Sequence, residues 1–174
     1  VFVSSLSAIV YAQTPKTYSA QEVKDDLEYM YKSLERSTYD LYALIEKEEM
    51  DRAYQDIYSS IKDSLSELEI FRLFQPFVAM SGMSHCFIFK PWAEYLNVYL
   101  KQGGTVFPLM LYFSQGKVFV KDNFSNNKAI SKSDEVLSFN EIPIDQYMTE
   151  FCKVLSGPSE YYKKSLIERS TFPR

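Results

Sequence analysis

The chain has 174 residues, 46% of them apolar and 16% aromatic, enough for a real core in one domain or two small ones and unlike a disordered tail. Its formal net charge of −4 and its scattered Lys and Arg residues form no basic stripe interleaved with aromatics, which argues against nucleic acid as a partner. Two cysteines and one histidine make neither a disulfide framework nor a zinc-ligand spacing, so no metal and no cofactor is expected. A single Cys86–Cys152 bridge is open to the chain in an oxidising compartment.

The first twelve residues, VFVSSLSAIVYA, are apolar and rich in small side chains. They read as the tail of a secretory signal peptide or as a buried first strand or helix. The polar, proline-bearing linker at 13–18 favours the signal peptide, and with it export to a periplasmic or extracellular space. The run is too short to be a membrane-spanning helix.

Ser19-Ala20-Gln21-Glu22 is a capping box, in which serine and glutamate each satisfy a free N–H at a helix start. Val23, Leu27, Met30, Tyr31 and Leu34 follow at helical spacing and predict a first helix to about Arg36. Met50, Tyr54, Ile57, Ile61 and Leu65 predict a second. A second capping box, Ser66-Glu67-Leu68-Glu69, opens a third through Val78, with Pro76 expected to kink or shorten it. Three such helices imply a small bundle. Residues 21–69 hold 14 acidic and 6 basic side chains, which predicts an acidic face that is solvated or docks a basic partner.

The pattern changes at Ser81-Gly82. His85, Phe87 and Phe89 alternate with Cys86 and Ile88, predicting a strand. After a short Pro91-Trp92 segment come two strands, 105–113 and 117–121, joined at Ser114-Gln115-Gly116. Residues 134–139 predict another strand, Asn140-Glu141 a turn, and 145–155 a helix ended by Ser156-Gly157-Pro158. A last helix runs from Ser159 to about Arg169.

The lone histidine lies in MSGMSHCFIF, between a serine and a cysteine. An imidazole suits a general base because its pKa lies near neutrality. On a strand, however, Ser84 and Cys86 would point away from the His85 ring, so neither is a nucleophile activated by it. By residue type alone, His85 reads first as a structural histidine at a domain junction, ahead of a catalytic base.

The order of features resembles the amino-terminal half of the tail-specific, or C-terminal-processing, serine proteases, a family that includes the tricorn proteases. The likeness rests on Ser84-His85 after the helix Leu68–Met80, and on ISKSDEVLSFNEIPIDQYM at 130–148. The latter is similar to a PDZ signature in which Gly-Asp precedes a strand and Asn-Gly follows it. Val106-Phe107-Pro108 with GKVFV at 116–120 resembles the entry to that module. Ser133 and Glu141 stand where the family has glycine, so those turns are expected to need other backbone solutions, and Cys86 replaces a threonine.

The resemblance implies an α+β chain: a helical amino-terminal domain at 19–101 ending in the Ser-His strand, a PDZ-like β-rich domain at 102–158, and a helix at 159–174 leading to a serine-bearing domain. It implies His85 as general base, Ser84 as its supporting hydrogen-bonding residue, and a polypeptide substrate or peptide C-terminus as partner. The nucleophile is expected beyond Phe172-Pro173-Arg174, since no Gly-x-Ser-x-Gly elbow occurs. Two other readings stay open: a non-catalytic scaffold derived from the family, and an aromatic-rich surface that binds glycans or a partner protein, for which Tyr39, Tyr42, Trp92 and Tyr95 are the residues to find exposed.

Overall fold

The computed structural model describes residues 14–169. The apolar run read as a signal-peptide remnant and the Phe172-Pro173-Arg174 end lie outside the described residues. Among the described residues the fold is α+β, with helices and three two-stranded sheets.

Helix α1 spans Ala20–Ser37 and starts where its capping box places it. The Glu22 N–H donates to Ser19 Oγ at 3.3 Å, and the Ser19 N–H donates to Glu22 Oε2 at 2.8 Å. Its stripe buries Val23, Leu27 and Tyr31. Helix α2, Lys47–Ser60, ends before its predicted stripe does. Ile61 is its C-cap, and Leu65 belongs to strand β2 (Leu65–Ser66), which pairs antiparallel with β1 (Thr17–Tyr18). Apolar spacing alone does not separate a helical turn from a residue just past the cap.

Helix α3 spans Glu67–Ala79 and has the second capping box. The buried Glu94 carboxylate also accepts from the Leu68 N–H at 3.0 Å, which satisfies another of the free donors at that helix start. Pro76 removes one N–H without ending the helix. Val23, Leu27, Ile61 and Phe74 form one buried cluster, and Tyr31, Leu41, Met50 and Phe77 a second. Each fully buried side chain of this size contributes about 1.5–3 kcal/mol. Beside the second cluster, the Tyr31 hydroxyl donates to Asp51 Oδ1 at 2.7 Å and Lys47 Nζ to the same oxygen at 2.8 Å. The Lys47 ammonium first, and the Tyr31 hydroxyl next, hold the Asp51 carboxyl below its ordinary value.

The segment read as a short Pro91-Trp92 link is helical, with α4 at Trp92–Glu94 running into a π-helical turn at Tyr95–Tyr99. Strands β3 (Leu109–Ser114) and β4 (Lys117–Asn123) form an antiparallel hairpin. Residues 105–108 join no strand. The turn residues Gln115 and Gly116 both have positive φ, as a type I′ hairpin turn requires. The predicted 134–139 strand is reduced to a bridge between Glu135 and Phe119 and to β5 (Ser138–Phe139), which pairs with β6 (Ile142–Pro143). Helix α5 (Ile144–Val154) closes over the hairpin, burying Ile144 and Met148 against Leu109, Leu111, Val118 and Val120. Helix α6 (Glu160–Arg169) lies against β3, where Glu168 Oε1 accepts from the Phe113 N–H at 2.7 Å.

The backbone is left-handed at Ser133 (φ 70°), Asn140 (φ 47°) and Glu141 (φ 67°). The expectation of other backbone solutions is therefore corrected. The turns keep the conformation that glycine favours, and Ser133 and Glu141 each carry a cost of about 1 kcal/mol for the crowding of Cβ against the carbonyl.

One buried side chain joins the two halves of the chain. Gln75 of α3, 5% exposed, donates from Nε2 to the Val154 carbonyl at 2.8 Å, and its Oε1 accepts from the Ile88 N–H at 2.7 Å.

Three outcomes are expected in urea unfolding. Glu141→Gly, and separately Ser133→Gly, raise stability by up to about 0.5 kcal/mol, the relieved crowding of about 1 kcal/mol being offset in part by the greater freedom glycine gives the unfolded chain; a clear loss in both would show that the turns are unstrained. Gln75→Leu leaves an orphan N–H and an orphan carbonyl and lowers stability by about 2–4 kcal/mol. For Asp51, a carboxyl whose pKa is depressed on folding stabilises above its ordinary value of 3.8 and loses that contribution as pH falls through its folded value. The urea midpoint should therefore drop more between about pH 6 and about pH 3 in the parent than in Asp51→Asn.

Candidate functional site

After α3 the chain turns on Ser81, which is wholly buried. Its hydroxyl donates to the Val78 carbonyl at 2.8 Å and accepts from the Met83 N–H at 3.3 Å. Gly82 follows at φ 67°, where a Cβ would stand 2.7 Å from Leu44 Cδ1, so the glycine answers both a positive φ and a close approach. The Cys86 N–H then closes a turn onto the Met83 carbonyl at 3.0 Å, and Ser84 and His85 sit within it.

The predicted strand at 85–89 is absent. Burial does alternate: His85, Phe87 and Phe89 are exposed, while Cys86, Ile88 and Lys90 are half-buried. The period of two is real, but among the described residues no strand pairs with it, and the Ile88 N–H is satisfied by the Gln75 side chain instead. Periodicity reports which side chains face out; a strand also needs a neighbour.

His85 and Ser84 are adjacent but are not hydrogen-bonded to one another. The imidazole is exposed, and among the described residues it has no side-chain partner. Beside it, Phe87 and Phe89 stand 51% and 82% exposed with their rings edge to face at 5.2 Å. An uncommitted imidazole can take a proton from a hydroxyl brought within about 3 Å.

Ser84 instead lines a cavity of about 480 Å³. The walls are apolar: Phe71 of α3, Phe87 and Ile88, Leu109 and Leu111 of β3, and Met148 of α5. The polar groups are few. Gln75 is spent on its two backbone partners. Ser156, 5% exposed, has a buried Oγ with no hydrogen-bond partner among the described residues. Lys90 lines the same space, its ammonium 3.3 Å from the centre of the Tyr95 ring and 4.8 Å from that of Trp92. Burial, and then the positive charge of Arg72, lower the Lys90 pKa.

Cys86 and Cys152 are both free thiols. Burial, and then the Glu160 charge, push the Cys152 thiol up, away from the thiolate form that reacts. Among the described residues no three His, Cys, Asp or Glu side chains cluster as metal ligands, and no helix is long and apolar enough to cross a membrane. Of the four aromatics singled out, Tyr39 is fully exposed and Trp92 is 41% exposed. Tyr42 donates to Glu35 at 2.6 Å, and Tyr95 stacks on Tyr99.

Gln75, Lys90 and Ser156 were not singled out from the sequence. Gln75 carried a usable signal, a polar residue inside the apolar run of α3. In the sequence Ser156 belongs to a helix stop, and nothing near Lys90 indicates that two aromatic rings will flank it. No protein-family model and no curated protein matches this chain.

Proposed function

We propose that the chain is the amino-terminal part of an exported serine endopeptidase of the tail-specific type. His85 is its general base, Ser84 the supporting residue, and 102–158 a PDZ-like module that holds the polypeptide substrate by its tail. The observation that carries this reading is the left-handed backbone at Ser133 and Glu141, the two positions where the resemblance calls for glycine. Two residues that disfavour that conformation adopt it at the spacing of the PDZ signature.

The tail would add as a strand, its main chain bonded to a sheet edge and its last apolar side chain in a pocket. Among the described residues strand β3 pairs with β4 alone, its outer edge is met at Phe113 by Glu168 of α6, and the apolar cavity lies beside it, walled by α3, the 84–90 segment, α5 and α6. In the peptidase step, the His85 imidazole accepts the proton of a serine hydroxyl as that oxygen attacks the scissile carbonyl, then returns it to the leaving amine. That serine and its acidic partner come from outside the described residues. The exposed Phe87 and Phe89 offer an apolar surface for the domain that brings them. Alone, residues 1–174 are expected to be inactive, because base and nucleophile act as a unit.

Peptides of six to ten residues ending in apolar side chains are expected to bind residues 1–174, seen by fluorescence anisotropy; no binding at millimolar peptide would remove the tail-binding role. In a chain extended through the downstream coding sequence, His85→Ala is expected to lower peptidase activity by about 10³-fold or more with tail binding intact. Unchanged activity would return His85 to a structural role.

A further inference from the structure

The edge of a sheet presents a row of unpaired N–H and C=O groups. In the β3–β4 hairpin the β4 edge is already filled: the Val120 N–H donates to the Asp134 carbonyl at 2.9 Å, the Ser133 N–H to the Val120 carbonyl at 2.8 Å, and the Val136 N–H to the Val118 carbonyl at 2.8 Å. Val118 and Val120 stand opposite Phe113 and Leu111. Because their backbone groups turn away from β3, those of Phe113 and Leu111 turn away from β4, to the outer edge of β3. Among the described residues no strand pairs there.

One of these groups has a partner of another kind. The Phe113 N–H donates to Glu168 Oε1 at 2.7 Å, so a carboxylate oxygen stands where the main-chain carbonyl of an added strand would stand. Two further contacts hold the end of α6 against the hairpin: Lys121 Nζ donates to the Glu168 carbonyl at 3.4 Å, and Lys164 Nζ lies 5.6 Å from the centre of the Phe113 ring. The apolar cavity adjoins both elements, with Leu109 and Leu111 of β3 and Leu166 and Ile167 of α6 among its walls. We propose that α6 is an internal competitor for the β3 edge: an extended peptide pairing with β3 takes the Phe113 N–H only by displacing Glu168, so that tail binding and release of the α6 end are one step. The proposal rests on the tail-binding reading and adds a means of regulating it. A hydrogen bond to a carboxylate is roughly twice as strong as one to a neutral carbonyl, so an incoming tail exchanges a stronger bond for a weaker one, and the contact lowers its affinity.

The test titrates a labelled hexapeptide ending in Leu-Val into residues 1–174 and two variants, followed by fluorescence anisotropy. Glu168→Ala is expected to bind the peptide about ten-fold more tightly than the parent. Glu168→Gln keeps a neutral oxygen at the same place and should fall between the two. Melting curves confirm that each variant is folded. A second measurement uses the parent alone: saturating peptide should move the NMR resonances of both the Phe113 backbone amide and the Glu168 carboxyl carbon. Equal or weaker binding by Glu168→Ala, or Phe113 and Glu168 resonances unmoved at saturation, overturns the proposal while tail binding stands. Binding by neither the parent nor the variants removes the tail-binding role and the competition with it.

Discussion

The arrangement depends on one buried amide. Gln75 projects from α3, and its two ends are both used: Nε2 on the Val154 carbonyl at the end of α5, and Oε1 on the Ile88 N–H. An amide is suited to this because it offers a donor and an acceptor in one plane. Neither an apolar residue nor a carboxylate could serve both backbone groups, and the site is too enclosed for water to replace it freely, with Gln75 5% exposed. The helical half, the β-rich half and the segment bearing His85 therefore meet at a single side chain, and the cavity lies where they meet.

The parts legible in the sequence are those decided by near neighbours. The two capping boxes are reciprocal bonds between residues three apart, so their starts could be placed to within a residue. The β3–β4 hairpin was likewise signalled by Gln115-Gly116, since both turn positions need positive φ and one is glycine. The less legible parts depend on partners distant in sequence. Residues 86–90 carry a strand's alternation, but what satisfies Ile88 is Gln75, 13 positions earlier. The helical turn at Trp92–Glu94 is fixed to α3 by Glu94, 26 positions from Leu68, and no local pattern announces it.

The turns at Ser133 and Asn140-Glu141 show the same division. Residue type argued against a left-handed backbone, and the fold imposes one nonetheless. Around Ser133 the N–H donates to the Val120 carbonyl at 2.8 Å, so the hairpin partner sets the conformation and the side chain tolerates it. Strain held in place by surrounding structure in this way is frequent near functional surfaces. At the candidate site, His85 is visible as the only imidazole, whereas the surroundings of Lys90 and Ser156 are not. The Lys90 ammonium meets the rings of Tyr95 and Trp92 on the turn that follows, and Ser156 is buried just past the end of α5.

If Gln75 holds the three pieces together, the segment behind His85 is part of the core's cooperative unit despite having no strand partner. Amide hydrogen exchange at Ile88 tests this most directly. Ile88 is expected to exchange only through global opening, with the protection of the central α3 amides. Exchange at the rate of an exposed loop would show that the Gln75 bond does not hold this segment, and the account of the junction would fall.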